Sequence, residues 1–506
     1  MPARRPLRLS AAVAILLGGL LAWAIPALAG PGTRHHGSAP ALRTPEDAGQ
    51  RAGTPAVRRS VPGRSVPGRP APTAIGRRWT AARRILGPLA ADLAAPQVSV
   101  GPGGDLLVAT GPGNEEAPQQ DRAELLSVRP RGLGLVTVTR PLRGIQEVLA
   151  LGHLGGRAVA LEATSPARLA CCSEALTQTL GAASVGTRMT LADGLEGATT
   201  GALIPIGGGL LAAVDNQAGI TVARAVADGR LEAPEALVTG DPTPAALAAT
   251  PRGDGGALLA WTAPGAGPQT VTGTTTSPGS SGTASGYDQP ANRLIEVASV
   301  GAQGRPGPGR LAVRRPEGTA VEAIDLAAHG AGATLAWTES PPVPDGAAAT
   351  VLWTDVEPRG GHDPIHRLSS ARESAGGVAL AGARDGAQVL AWQACAVAAG
   401  TCRVRAVLRR PDGAWSRVRD LGADDPGAFP VVAQSPGGQA LVGWIAGGRV
   451  RLTTAAPGVM GFAPAHVLSA PGASGLAVGY GVSGVGAAVW VQGTVAQSVM
   501  AARLLP

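Results

Sequence analysis

Gly255-Gly256-Ala257-Leu258-Leu259-Ala260-Trp261 joins a tight glycine turn to a short apolar strand that ends on an aromatic ring. The chain repeats this stretch. Gly386 to Trp392, Gly438 to Trp444 and Gly332 to Trp337 are close copies, and Gly486 to Trp490 is a shorter one. Weaker copies with the Trp replaced run from Gly104 to Thr110, Gly156 to Glu162 and Gly208 to Val214. The eight strand ends fall at 110, 162, 214, 261, 337, 392, 444 and 490, spaced by 46 to 55 residues except for one interval of 76. A period near fifty that survives one long insertion is the mark of units repeated along a stack or around an axis.

Each unit holds four short strand candidates. In the best-preserved copy these are Pro430 to Ala433, Ala440 to Trp444, Arg449 to Thr453 and Ala463 to Leu468, separated by Gly- and Pro-containing turns. Strands of four to six residues with turn signals at such intervals predict antiparallel all-β structure. With 74 Gly and 44 Pro, long helices have no place in the repeats. Four antiparallel strands repeated about eight times predict an all-β fold, a β-propeller of about eight four-stranded blades. Seven blades stay open at this point, because the units before Val214 are degenerate.

The ends of the chain predict a closed ring. The last unit stops after its third strand, near Leu504, while Trp79 to Gly87 resembles the fourth strand that begins at Trp415. The N-terminal strand joining the last blade would remove the open edge of an unclosed array. Over residues 79–506 the chain therefore resembles the secreted β-propeller repeat proteins. It lacks both the Trp-Asp signature of WD repeats and the Asp-box of sialidases, so neither family's function carries over. The recurring Trp is expected to fill the wedge between neighbouring blades, where each buried ring is worth several kcal/mol.

Residues 1–29 read as a secretory signal peptide: Arg4, Arg5 and Arg8, then an apolar run from Ala11 to Ile25, then Ala27-Leu28-Ala29 before Gly30. Left uncleaved, this segment would be the one membrane anchor the sequence offers. Residues 30–78 form a Pro/Gly/Arg-rich linker, expected to be disordered because it has too few bulky apolar residues to offset its ordering entropy. It reads as a spacer, or as a basic stalk that holds an anionic envelope surface. Removing the +3 of residues 1–30 and the +7 of residues 31–78 from the net charge of +8 leaves −2 on the repeats. The basic balance is thus no footprint of nucleic acid on a folded domain.

Four cysteines in an exported chain permit disulfides. Cys395 and Cys402 flank a short loop between two strands and are expected to staple that hairpin. Cys171 and Cys172 read as a vicinal disulfide or two thiols, with no His or carboxylate cluster beside them. His362 and His366 read as solvated loop residues. No metal site and no cofactor motif is evident.

Acid–base chemistry needs two carboxylates converging on one cleft. The strands expected to line the axis offer Glu147, Glu322 and Asp325, and the loops of one face add Asp424 and Asp425 among others. The 76-residue unit carries a Thr/Ser/Gly-rich insertion from Pro264 to Gly286, either a binding loop or a neutral one. The expectation is an exported, monomeric binding or scaffold ring at the cell envelope or outside the cell. Its expected partner is an envelope or extracellular protein or glycan. The alternative is an extracellular carbohydrate-active hydrolase or lyase with a dispersed carboxylate pair.

Overall fold

The computed structural model describes residues 78–505, apart from segments 90–92, 112–121, 132–133, 144–146, 155–156, 165–173, 181–184, 194–199, 217–218, 227–229, 240–245, 266–291, 342–347 and 398–399. Within them the chain forms eight antiparallel sheets, seven with four strands and one with five. The innermost strands, in chain order, are Gln97–Val100, Glu147–Leu154, Thr200–Ile206, Leu247–Pro251, Ala320–His329, Glu373–Gly382, Val431–Gln434 and Ala473–Tyr480. Each packs against the next, and Ala473–Tyr480 packs back against Gln97–Val100. The sheets are therefore eight blades of one closed ring, numbered here 1 to 8 from Gln97.

The glycine turn of the repeat joins the first strand of a blade to the second. Gly255, Gly386 and Gly438 have φ of 83°, 88° and 82°, a left-handed backbone that other residues adopt at a cost. In blade 4 the turn closes with the Arg252 amide on the Gly256 carbonyl at 2.8 Å, and Asp254 Oδ1 accepts the Gly256 amide at 3.1 Å. The second strand then leaves in register with the first, Pro251 opposite Ala257.

The second strand of every blade is the core. Leu106–Thr110, Ala440–Ala446 and the first six residues of Ala257–Pro264 are buried at every position. Buried on both faces, they read as continuous apolar runs rather than alternating ones. Trp261, Trp337, Trp392, Trp444 and Trp490 are each at most 1% exposed, at one position of five successive blades. Trp337 sits among residues of blades 4 and 5, and Trp444 among residues of blades 6 and 7. The wedge reading of the repeated Trp is correct.

Ring closure also follows the sequence, with one addition. Blade 8 consists of Ala473–Tyr480, Gly486–Gln492 and Gln497–Leu505, completed by two N-terminal strands. Arg78–Trp79 pairs with Leu504 and Leu505, and Arg83–Leu89 pairs along Gln497–Ala501. The second of these runs past a register shift on either side of Leu86.

Single side chains staple neighbouring blades. Thr250 Oγ1 accepts the Ala328 amide at 3.0 Å between blades 4 and 5. Gln388 Nε2 donates to the Ala328 carbonyl at 3.0 Å between blades 5 and 6. Cys395 and Cys402 lie directly opposite each other on the second and third strands of blade 6 and form a disulfide, with Cα atoms 3.9 Å apart. The insertion of the long unit falls between Ala257–Pro264 and Asn292–Val300, the second and third strands of blade 4. Cys171 and Cys172 lie outside the described residues.

Candidate functional site

The ring has two unlike faces. One carries the connections between second and third strands and those between blades; the other carries the connections between first and second and between third and fourth strands. The expected acids belong to the axis and to the first of these faces.

Asp325 stands midway along the inner strand of blade 5. Its Oδ1 accepts the Leu326 amide at 2.8 Å, and its Oδ2 accepts the Leu380 amide of blade 6 at 2.6 Å. Burial pushes its carboxyl up to about 6, and the two amides act against that rise. Both oxygens are therefore committed to joining two blades. Glu322, three residues earlier at a register shift, is exposed and accepts a hydrogen bond from the Ser340 hydroxyl. Glu147 begins the inner strand of blade 2 opposite Ala163; its side chain lies outside what the structure describes.

Asp424 ends the last strand of blade 6, opposite Cys402, and Asp425 follows it. Gln393 Nε2 donates to Asp424 Oδ2 at 2.7 Å and to the Asp425 carbonyl at 2.9 Å. Asp425 in turn accepts the amides of Gly447 and Gly448, in blade 7, at 2.7 and 2.8 Å. Asp424 is buried, and its Oδ1 has no protein partner. Burial is the main cause raising its carboxyl to about 6; the Gln393 hydrogen bond opposes this, and the Asp425 charge adds to it. The five expected acids thus fall at three places. The structure brings together only Asp424 with Asp425, and the latter ties down a turn of the next blade.

Several polar constellations are invisible in a linear reading. Glu373, at the start of the inner strand of blade 6, is a further acid near the axis and pairs with Arg405 Nη2 at 2.7 Å. The expectation that Glu147, Glu322 and Asp325 were the only inner-strand acids is corrected, because this strand begins earlier than its apolar run. Ser99 Oγ lies 3.0 Å from His153 Nδ1, whose Nε2 is 3.5 Å from Asp105 Oδ2. Three such residues in line suggest nucleophilic catalysis. Burial, however, lowers the His153 pKa against the pull of Asp105. Ser99 also holds the same strand position as Thr250, two residues before the hairpin, and like it reaches the next inner strand, there through a side chain rather than a backbone amide. The trio is a staple between blades 1 and 2.

A third group sits between blades 5 and 6. Arg409 reaches Asp355 with two nitrogens at 2.7 and 2.6 Å, and its guanidinium lies 5.4 Å from the ring centres of both Trp353 and Trp415. His366, exposed as expected, stacks on Trp353 at 4.6 Å. Burial alone would raise the Asp355 carboxyl, but the hydrogen bonds from Arg409 and Thr334 hold it below the usual range. Trp353 is thus packed by His366, Trp415 and Arg409 rather than standing free. Among the described residues no group of three His, Cys, Asp or Glu could hold a metal ion.

The strand pairing defines the class: a closed, eight-bladed β-propeller. No protein-family model matches the chain. No curated protein matches it either. Solved structures align with it along most of its length. An α-L-arabinanase of Penicillium chrysogenum is 10% identical over 84% of this chain and 98% of that one, with a TM-score of 0.37. The Dos1 propeller is 9% identical over 84% and 95%, with a TM-score of 0.45. The NanB sialidase from Streptococcus pneumoniae is 9% identical over 84% and 94%, with a TM-score of 0.34. Likenesses this distant carry no argument about activity. The ring stands on its own strand pairing.

Proposed function

We propose that the ring is a non-enzymatic binding and scaffold module that acts at the cell envelope or outside the cell. The observation behind this reading is the commitment of Asp325 and Asp425, whose four carboxylate oxygens all accept backbone amides. A carboxylate held this way stabilises the ring and is poorly placed to exchange protons with a substrate. The N-terminal segment, with its basic start, apolar run and Ala-x-Ala end, supports export. The Arg-rich residues 31–78 support an anionic envelope surface as the place of work.

The alternative, a carbohydrate-active hydrolase or lyase, has one observation in its favour. Asp424, with its carboxyl raised to about 6 beside Asp425, has the protonation behaviour of a general acid. A glycan array probed with the full chain, alongside capture of envelope proteins, tests the binding reading. Retention of a defined glycan or protein is the expected outcome. A chain that retains neither would remove the reading.

A further inference from the structure

A cleft of about 370 Å³ opens at the outer rim where the ring closes, between blade 7 and the N-terminal strand of blade 8. Leu452 and Leu504 are buried beneath it, and Trp79 lies half-buried along it. Arg78 and His466 are exposed at its edge. Thr453 and Thr454 line it, the first buried and the second half-buried. The cleft exists because the last strand of blade 7 is only His466–Val467, so the third strand of that blade is covered over just two residue pairs.

Its charges are unspent. Arg315, Arg405 and Arg409 are each paired with a carboxylate. Arg78 and His466 have no side-chain hydrogen bond or ion pair among the described residues, and no acid lines the cleft. The Thr453 hydroxyl is buried and donates to the Ala463 carbonyl at 2.5 Å, which leaves the hydroxyl of Thr454, half-buried on the same strand face as Leu452, for a ligand. The site therefore offers one fixed cation, one aromatic surface, an imidazole and one hydroxyl over an apolar floor. Its volume is at the small end of ligand pockets.

From this we propose that the rim cleft binds a carboxylated saccharide, a uronic acid unit of an anionic polymer; the inference rests on the binding reading above. A guanidinium takes a carboxylate through two parallel hydrogen bonds. A sugar ring lays its C–H face on an indole, and its hydroxyls find both donors and acceptors in Thr454 and His466. One fixed positive charge matches one carboxylate per sugar unit.

The test is titration of the purified full chain with tetragalacturonate and with neutral maltotetraose, followed by calorimetry and tryptophan fluorescence. The uronate is expected to bind at least tenfold more tightly than the neutral sugar. Arg78→Ala and His466→Ala, at exposed positions that leave the melting temperature unchanged, are each expected to weaken uronate binding severalfold, and Arg78→Ala by tenfold or more. Trp79→Phe is expected to retain binding and lose the fluorescence change. Equal affinity for the neutral sugar, or for a nucleoside monophosphate used as an anionic stacking control, overturns the saccharide assignment. Uronate binding untouched by Arg78→Ala overturns the cleft and leaves the binding reading standing. Cleavage of the tetramer by the wild type overturns the binding reading itself.

Discussion

Asp325 Oδ2 accepts the amide of Leu380 at 2.6 Å, across the boundary between two blades. A carboxylate on the inner strand of one blade thus takes up a backbone donor of the next. The same logic recurs around the ring, through Thr250 and Ala328, Gln388 and Ala328, and Asp425 with Gly447 and Gly448. Apolar second strands supply the bulk of the cohesion, and polar side chains satisfy buried backbone groups where blades meet.

Asp325 and Asp424 give the fold a pH signature. Both carboxyls are raised to about 6 from an ordinary 3.8. Between those values the folded state binds more protons than the unfolded chain, so this contribution to stability falls as pH rises. The penalty is absent below the unfolded value and complete above about 6. The melting temperature of Asp325→Asn/Asp424→Asn minus that of wild type is therefore expected to be more positive at pH 7.5 than at pH 4.5. Scanning calorimetry at the two values reads this directly, and an equal difference at both would contradict the assignment.

Asp355→Ala leaves the Arg409 guanidinium buried without its bidentate partner. Breaking such a pair from one side costs about 3 kcal/mol or more. Urea unfolding is expected to show that loss, with a smaller one for Arg409→Met/Asp355→Leu, where both charges leave together. A loss below about 1 kcal/mol for Asp355→Ala would mean the pair is solvated like a surface one.

Much of this architecture is legible in the sequence because it is local and repeated. The turn glycines, the apolar run and the terminal Trp recur at one phase, and Cys395 and Cys402 flank a loop that only a hairpin can span. The degenerate units before Val214 belong to blades 1 to 3, which completes eight. What stayed hidden depends on neighbours about one unit apart. Ser99 meets His153, and Arg409 meets Asp355, each 54 residues away, through the angle between adjacent blades. Nothing near those residues in the sequence marks the pairing. Glu373 was missed because polar and small residues precede the apolar part of its strand. The single strand expected from Trp79 to Gly87 is two strands, Arg78–Trp79 and Arg83–Leu89, and nothing local in the sequence marks the shift of pairing around Leu86.

Trp444→Ala should act as a core deletion at a blade boundary. The ring is 1% exposed, and its Nε1 donates to the Ala423 carbonyl at 3.0 Å. Removing a buried Trp costs about 3–5 kcal/mol. Unfolding curves are expected to shift by that amount, whereas Trp353→Ala, on the outer strands, should cost less. The reverse order would contradict the wedge role.

Opening the Cys395–Cys402 bridge tests its loop. Closing a loop of this length is worth about 2 kcal/mol on the chain-entropy account. Cys395→Ala/Cys402→Ala is expected to destabilise by that order and to leave the strand register intact, since backbone bonds pair these strands along their whole length. Hydrogen exchange at Val404 and Ala406 checks the second point.

Ring closure rests on the N-terminal strands. Deleting residues 78–89 would expose the edge of Gln497–Leu505. An uncovered edge recruits other chains, so the truncated protein is expected to form oligomers on size-exclusion chromatography while the full chain stays monomeric. A monomeric truncation would mean that closure is carried elsewhere.

Ser99 is the residue that most resembles a nucleophile. If the trio is a staple, a fluorophosphonate probe leaves Ser99 unlabelled, and Ser99→Ala changes stability alone. Labelling that is lost in both Ser99→Ala and His153→Ala would overturn this.

A ring that binds without catalysing releases no product from the glycans it holds. The full chain is incubated with each glycan it retains, and soluble products are separated by chromatography with detection of new reducing ends. Retention with no new reducing ends after prolonged incubation is expected. New reducing ends formed by wild type and lost in Asp424→Asn would contradict it and make the ring an enzyme.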